Sequence, residues 1–309
     1  MVTEFFLLGF SDVRELQILH CVVFLIIYLA ALTGNLLVIT AVVLDHHLHT
    51  PMYFFLMILS ILDLGFISVT VPKSMANSLL NTRSISYSEC IAQVFLFSFA
   101  LADFALLTVM AYDRYIAICK PLHYEIVMNR RACVQMTASA WISGVLSSAL
   151  HTGSAFTITF CGGNMVDHFF CEIPQLLKLT CSDSYLSEVG VIAFNAFLGL
   201  SCFILIIVSY IQFFITVLRI PSGQGRHKAF STCLPHLIMV SLLVFTDTFA
   251  YLNPPPAQHQ VWISCSLFSV IPMMNPLIYS MRNKEIKAAL KKLTWHRLLT
   301  KNKMSIFLS

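Results

Sequence analysis

Met110-Ala-Tyr-Asp113-Arg114-Tyr115-Ile-Ala-Ile-Cys119 closes a long apolar run, and the residues that follow, Lys120-Pro121-Leu122-His123-Tyr124, turn basic and polar. An adjacent acid and base are costly to leave in hydrocarbon. At that boundary the pair must bond internally, lay its stem along the apolar surface to reach water, or meet a partner arriving from the water side. The string therefore marks the end of a membrane-spanning helix and puts exchangeable charge at that end.

The rest of the chain agrees with a membrane setting. Of 309 residues, 58% are hydrophobic and only 11% are charged, whereas a soluble globule carries about 25% charged residues. A hydrocarbon core of roughly 30 Å takes about 20 apolar residues per helix. Seven stretches meet that length, near 19–44, 52–80, 91–118, 133–160, 188–218, 229–252 and 260–281. The predicted fold is all-α, a seven-transmembrane helix bundle making one domain over 1–309. Lys and Arg in short loops stay on the cytoplasmic side. An outside N-terminus assigns Arg114, Lys120, Arg130, Arg131, Arg219, Arg226, Lys228 and the tail cluster from Arg282 to Lys303 to the cytoplasm, leaving only Arg14, Lys73, Arg83 and Lys178 outside. The net charge of +4 thus describes a basic cytoplasmic face and not a nucleic-acid binder. The first 18 residues carry Glu4, Asp12, Arg14 and Glu15; no cleavable signal peptide is evident, and span one is expected to serve as its own insertion signal.

Cytoplasmic loops are short, with Pro221, Ser222, Gly223 and Gly225 as breakers after span five. The outer loop from about 161 to 187 is the longest connection, expected to cap the bundle. Most of the ten cysteines lie in apolar segments as small buried thiols. Cys90, Cys161, Cys171 and Cys181 lie on the outer side, where an oxidising lumen favours bridges, and four cysteines allow three connectivities. After span seven, apolar residues at 286, 290 and 293 and lysines at 284, 287, 291 and 292 describe a short amphipathic helix on the bilayer surface. No internal repeat relates the halves, which counts against an inverted-repeat transporter.

Taken in order, the motifs resemble the olfactory receptors, a branch of the rhodopsin-like G-protein-coupled receptors, from about Val2 to Asn283. Span one carries Gly34-Asn35, the first inner loop reads Leu48-His-Thr-Pro51-Met52-Tyr53, and span two reads Leu59-Ser60-Ile-Leu-Asp63. Span five holds Ser209-Tyr210, span six begins Lys228-Ala-Phe-Ser231-Thr232-Cys233, and span seven reads Pro272-Met-Met-Asn275-Pro276-Leu-Ile-Tyr279. The text around Val2–His20 and Pro121–Asn129 is most similar to olfactory receptor family 14. The resemblance implies a rhodopsin-like bundle that binds a small volatile odorant from outside. It also implies activation of a stimulatory olfactory-type heterotrimeric G protein inside, raising cyclic AMP, with no cofactor. It assigns coupling and switching to Asp113, Arg114, Tyr115, Tyr210, Lys228, Asn275, Pro276 and Tyr279. It also pairs Cys90 with Cys171 and Cys161 with Cys181.

These assignments make physical sense residue by residue. Asp113 can hold Arg114 until span six swings outward, and arginine stays charged and offers a planar fork of donors; the alternative is an interfacial arginine anchoring the helix end. Asn275-Pro276 removes a backbone hydrogen bond within span seven and leaves a kink. Asp63 and Asp103 are acids at mid-membrane depth, where insertion costs about 2.5–3.5 kcal/mol each. They are expected to face inward as a polar core with Asn35 and Asn275, holding a cation or shared proton, or to be protonated and simply hydrogen-bonded. In outer span six, Val244, Asp247, Thr248 and Tyr251 recur at one-face helical spacing, as do Phe97, Ala100, Leu101 and Phe104 on span three. With Asn195, Leu198 and Phe268 they compose a mostly apolar, aromatic ligand site with few polar points. Asp247 there points to a ligand with a polar or basic head. His168-Phe-Phe-Cys171-Glu172 invites a metal, but an oxidised Cys171 leaves only His168 and Glu172, so no metal is assigned.

The chain departs from the family pattern in three ways. It has no Asn-x-Ser/Thr sequon, and Val2-Thr3-Glu4-Phe5 reads as the family's text starting several residues late, which predicts truncation and impaired surface expression. Span three is one residue shorter between Cys90 and Arg114 than the family's spacing, a turn of about 100°. Cys90 then meets its partner only if the helix absorbs the slip, for instance between Leu96 and Asp103. Third, the aromatic usual in mid span six is Val244, although Thr246 remains. The competing functions are a transporter or channel with Asp63 and Asp103 as an ion path, and a receptor unable to reach the surface or couple. No nucleophile-base-orienter set suggests an enzyme.

Overall fold

A computed structural model of the chain describes residues 4–7, 13–80, 84–157, 160, 163–166, 170–180, 186–252, 270–279, 286–289 and 291. Where water is absent, a backbone must satisfy its own N–H and C=O groups, and long apolar stretches therefore fold as helices. Six long apolar helices form: Arg14–Leu44, Pro51–Leu80, the third span in two pieces Tyr87–Ser98 and Ala100–Cys119, Arg130–Thr157, Leu186–Leu218 and Gly223–Leu252. A shorter apolar helix, Val270–Tyr279, belongs to the seventh. Together they make a seven-helix bundle. Span one runs against span two, and span three is central, its two pieces packing on spans four and five.

The interruption of span three falls at Phe99. Its N–H is shared between the carbonyls of Phe95 and Leu96, both at 3.2 Å, and its own carbonyl accepts from Ala102 N at 2.8 Å, a bond spanning only three residues. Such a turn advances about 120° per residue instead of 100°, so tightening here restores part of the rotation that the missing residue removes. Gly144 of span four makes room for it: a Cβ there would lie 2.6 Å from Ala102 Cβ and 3.1 Å from Phe99 Cε2. The Trp141 ring meets Phe99 edge-on at 6.4 Å. With the slip absorbed within the expected window, Cys90 reaches Cys171 and the two are bridged, their Cα atoms 5.4 Å apart. Cys161 and Cys181 lie outside the described residues.

The end of the bundle bearing this bridge carries a small sheet. Strand β1 (Glu4–Leu7) pairs antiparallel with β2 (Ser84–Ser86) and parallel with β3 (Met165–Val166). Its alternation sends Phe5 and Leu7 inward, where they pack with Ile85, Val94, Val166 and the bridged cysteines. Span three begins below with a capping box: Ser86 Oγ accepts from Glu89 N, and the Glu89 carboxylate accepts from Ser86 N at 3.0 Å. Glu89 also pairs with Lys73 of span two at 2.9 Å. At the opposite end, Ile286 and Ala289 of the segment after span seven are buried against the main core while Lys287 and Lys291 are exposed, an amphipathic arrangement.

Candidate functional site

The end of span three opposite the bridge is organised by Asp113. One carboxylate oxygen lies 3.9 Å from Arg114 Nε, and the other accepts a hydrogen bond from Tyr124 Oη at 2.8 Å. Asp113 is buried and the Arg114 side chain is 14% exposed. Burial, and after it the neighbouring Asp113 charge, push the Tyr124 hydroxyl's pKa well above its ordinary value, so it remains a donor. Tyr115 is half-buried under the Lys120 ammonium, 5.7 Å from its ring centre, and Lys228 is exposed. The loop held by Tyr124 presents two apolar side chains to solvent, Leu122 at 91% and Ile126 at 71% exposure.

Sequence reasoning missed His236, which ties three helices together. Its Nε2 lies 2.9 Å from the Leu107 carbonyl and its Nδ1 lies 2.8 Å from Tyr210 Oη. A carbonyl only accepts, so Nε2 carries the proton, Nδ1 accepts, and Tyr210 donates. Spans three, five and six are thereby linked through one buried imidazole. The available signal was a histidine in an apolar run, beside Pro235, because a buried histidine needs partners.

Higher in the bundle, Asn275 Nδ2 donates to Asp63 Oδ2 at 2.7 Å. Of the polar-core residues proposed from sequence, Asp63 and Asn275 are in direct contact. Asn35 is placed differently. Pro276 has no N–H for the carbonyl four residues back, and that carbonyl, of Pro272, accepts instead from Asn35 Nδ2 at 2.8 Å. Gly34 beside it is required by contact, since a Cβ there would sit 2.7 Å from Pro276 Cγ. Gly34-Asn35 thus grips the proline kink of span seven. The side-chain oxygens of Asn35, Asn275 and Ser60 and the hydroxyl of Tyr279 are buried without hydrogen-bond partners among the described residues, so the region between spans one, two and seven keeps unused polar capacity.

Toward the bridge, the sequence-predicted ligand residues that are described have differing surroundings. Phe104 and Val244 pack against the main core, and Ala100, Leu101 and Leu198 are half-buried. Phe97 lies face to face with Phe170 of the outer loop, ring centres 4.3 Å apart. Asn195 accepts from Ser147 Oγ at 2.6 Å and donates to the Val191 carbonyl, which ties spans four and five. Thr248 is exposed. The side chains of Asp247 and Tyr251, and residues Phe268 and His168, lie outside the described residues. Cys171 N donates to Gln93 Oε1 at 3.0 Å beside the bridge. Burial holds the next carboxyl, Glu172, up at a pKa of about 7, against the opposing pull of Gln175 and Lys178.

A bundle with this bridge, this acid-arginine-tyrosine junction and this proline kink has counterparts among known proteins. The sequence profile of a family described as olfactory receptor matches residues 24–297. Human olfactory receptor 14A16 is 50% identical over 305 residues, covering 97% of this chain and 98% of that relative. Human olfactory receptor 14J1 is 49% identical over 309 residues, covering 99% and 96%, and human olfactory receptor 14I1 is 51% identical over 296 residues, covering 94% and 95%. The chain is a multi-pass membrane protein that belongs to the olfactory receptor family, a group of rhodopsin-like receptors and not of enzymes.

Proposed function

We propose that this chain acts over 1–309 as one odorant receptor domain, with its N-terminus outside the cell and its C-terminus in the cytoplasm. A small volatile molecule binds in the half of the bundle toward the Cys90–Cys171 bridge. The Arg114 end activates a stimulatory olfactory-type G protein and raises cyclic AMP. Family membership supports the receptor reading, and the distribution of Lys and Arg supports the orientation.

The observation that carries coupling is the junction at Asp113. It holds Arg114 partly covered and, through Tyr124, fixes a loop whose Leu122 and Ile126 stand 91% and 71% exposed. Apolar side chains held out in water beside a half-buried arginine suit the apolar face of a partner helix. Displacing span six breaks the His236 link to Tyr210 and Leu107 and frees the space into which Arg114 turns. Asn275, Pro276 and Tyr279 carry the motion along span seven, and Asp63, Asp103 and Asn35 tune it. Phe97, Ala100, Leu101, Phe104, Asn195, Leu198, Val244, Asp247, Thr248, Tyr251 and Phe268 surround the ligand, with Asp247 answering a polar or basic head.

The test is cyclic AMP in cells expressing the chain with the olfactory G protein and challenged with a broad odorant panel. A dose-dependent response in the unmodified chain, abolished by Arg114→Ala and weakened several-fold by Leu122→Ala at equal surface level, is expected. Full signalling by Arg114→Ala would overturn the coupling mechanism, and unchanged agonist potencies in Asp247→Ala would overturn the role given to that acid.

A further inference from the structure

A loop residue normally lies at the surface, because buried loop backbone leaves polar groups unsatisfied. Phe170 does not. It is 2% exposed and is packed among Phe24 of span one and Ile67 and Val71 of span two, with Met273 of span seven against the same cluster. Its ring lies nearly parallel to that of Phe97, 4.3 Å between centres and 7° between planes. The edge of Phe66 meets Phe97 at 5.1 Å. The next residue is the bridged Cys171, whose N–H is also held by Gln93. The ring is therefore positioned by a covalent tether and a backbone bond, not by a loop free to lift away.

We propose that Phe170 is a specificity-determining residue: its benzyl group occupies an aromatic subsite between spans one, two, three and seven and closes that side of the ligand cavity to ligand rings. The walls are the side chains of Phe24, Ile67, Val71, Phe97 and Met273, so what fits in place of Phe170 is a single apolar ring, the benzenoid class. Phe97 then meets ligand only at its uncovered parts, and ligands without a ring are selected by spans three, five and six. The link to odorant selection rests on the odorant-receptor reading; the existence of the subsite does not.

The experiment separates the two. Full-length receptor is purified in detergent and its thermal unfolding followed with and without toluene, for the unmodified chain and for Phe170→Ala. A dry apolar cavity of one-ring size takes up such molecules, and a ligand bound only by the folded state raises the transition with the logarithm of its concentration once that exceeds the dissociation constant. Toluene is expected to raise the midpoint of Phe170→Ala and to leave the unmodified chain unchanged. In cells, benzyl-bearing agonists should gain at least about tenfold in potency on Phe170→Ala, in keeping with the burial of one aromatic ring, while ringless agonists stay where they were. Equal toluene shifts in both chains, or none in a folded Phe170→Ala, overturn the proposal. If Phe170→Ala does not fold, Phe170→Val is read by the same criteria. A toluene shift without any odorant response keeps the subsite and sinks the receptor reading; odorant responses without a toluene difference do the reverse.

Discussion

The two ends of this bundle are held by different forces. At the Arg114 end apolar packing, including the Phe214 and Phe230 rings, is supplemented by single polar bonds: Tyr124 to Asp113, Tyr210 to His236, His236 to the Leu107 carbonyl. At the bridge end the joints are a disulfide, stacked rings and a three-stranded sheet over an apolar cluster. A polar bond nets only about 0.5–1.5 kcal/mol and is broken or remade without loss of packing. A covalent bridge and interlocked rings hold one shape. The division suits a molecule that reads shape at one end and changes shape at the other.

Four substitutions break or sharpen the contrast, beginning with the largest effect. Cys171→Ser removes the bridge, worth about 2–5 kcal/mol in small domains, and frees both Phe170 and the outer loop. Surface labelling should show little folded receptor, and near-normal levels would mean that the sheet and rings suffice. Gly34→Ala drives a methyl to within 2.7 Å of Pro276 Cγ; overpacking of this kind costs about 1–3 kcal/mol, and the thermal midpoint should fall accordingly. Tyr210→Phe deletes one joint at the Arg114 end for about 1 kcal/mol. Its signature is raised basal cyclic AMP at nearly unchanged surface level, and a collapse in surface level would show that this end is held like the other.

The smallest effect is in the pH response of the bridge end. Glu172 ionises near pH 7 in the folded chain and at its ordinary 4.5 unfolded. The folded state therefore binds more protons between these values, so stability falls as pH rises from about 4.5 to about 7. Glu172→Gln should flatten that part of the thermal midpoint's pH profile, and an unaltered slope would assign the fall to another group.

Legibility in the sequence followed the same division. Asp113-Arg114 and Asn275-Pro276 were readable because charge and a missing N–H have few tolerable settings inside a membrane. The short spacing between Cys90 and Arg114 allowed the bridge only if the helix absorbed a slip, for instance between Leu96 and Asp103, and the helix is interrupted at Phe99. Asn35 was assigned to the carboxylate cluster, whereas it serves the carbonyl that Pro276 leaves open; a proline announces the vacancy but not the residue that fills it. His236, Leu122, Ile126 and Phe170 were not singled out. An apolar or aromatic letter carries no mark of whether its side chain ends in lipid, in water or between helices, and only the assembled bundle decides.

The small sheet has a consequence for timing. Phe6 is synthesised well over a hundred residues before its β3 partner, Met165. At typical synthesis rates of about 5–20 residues per second, the opening strand waits on the order of ten seconds before its last neighbour exists. Through that interval Phe5 and Leu7 lack Val166 and Cys171, which complete their apolar bed. Strand β1 therefore settles after the helices that follow it, and closing the sheet signals that four spans have already been laid down.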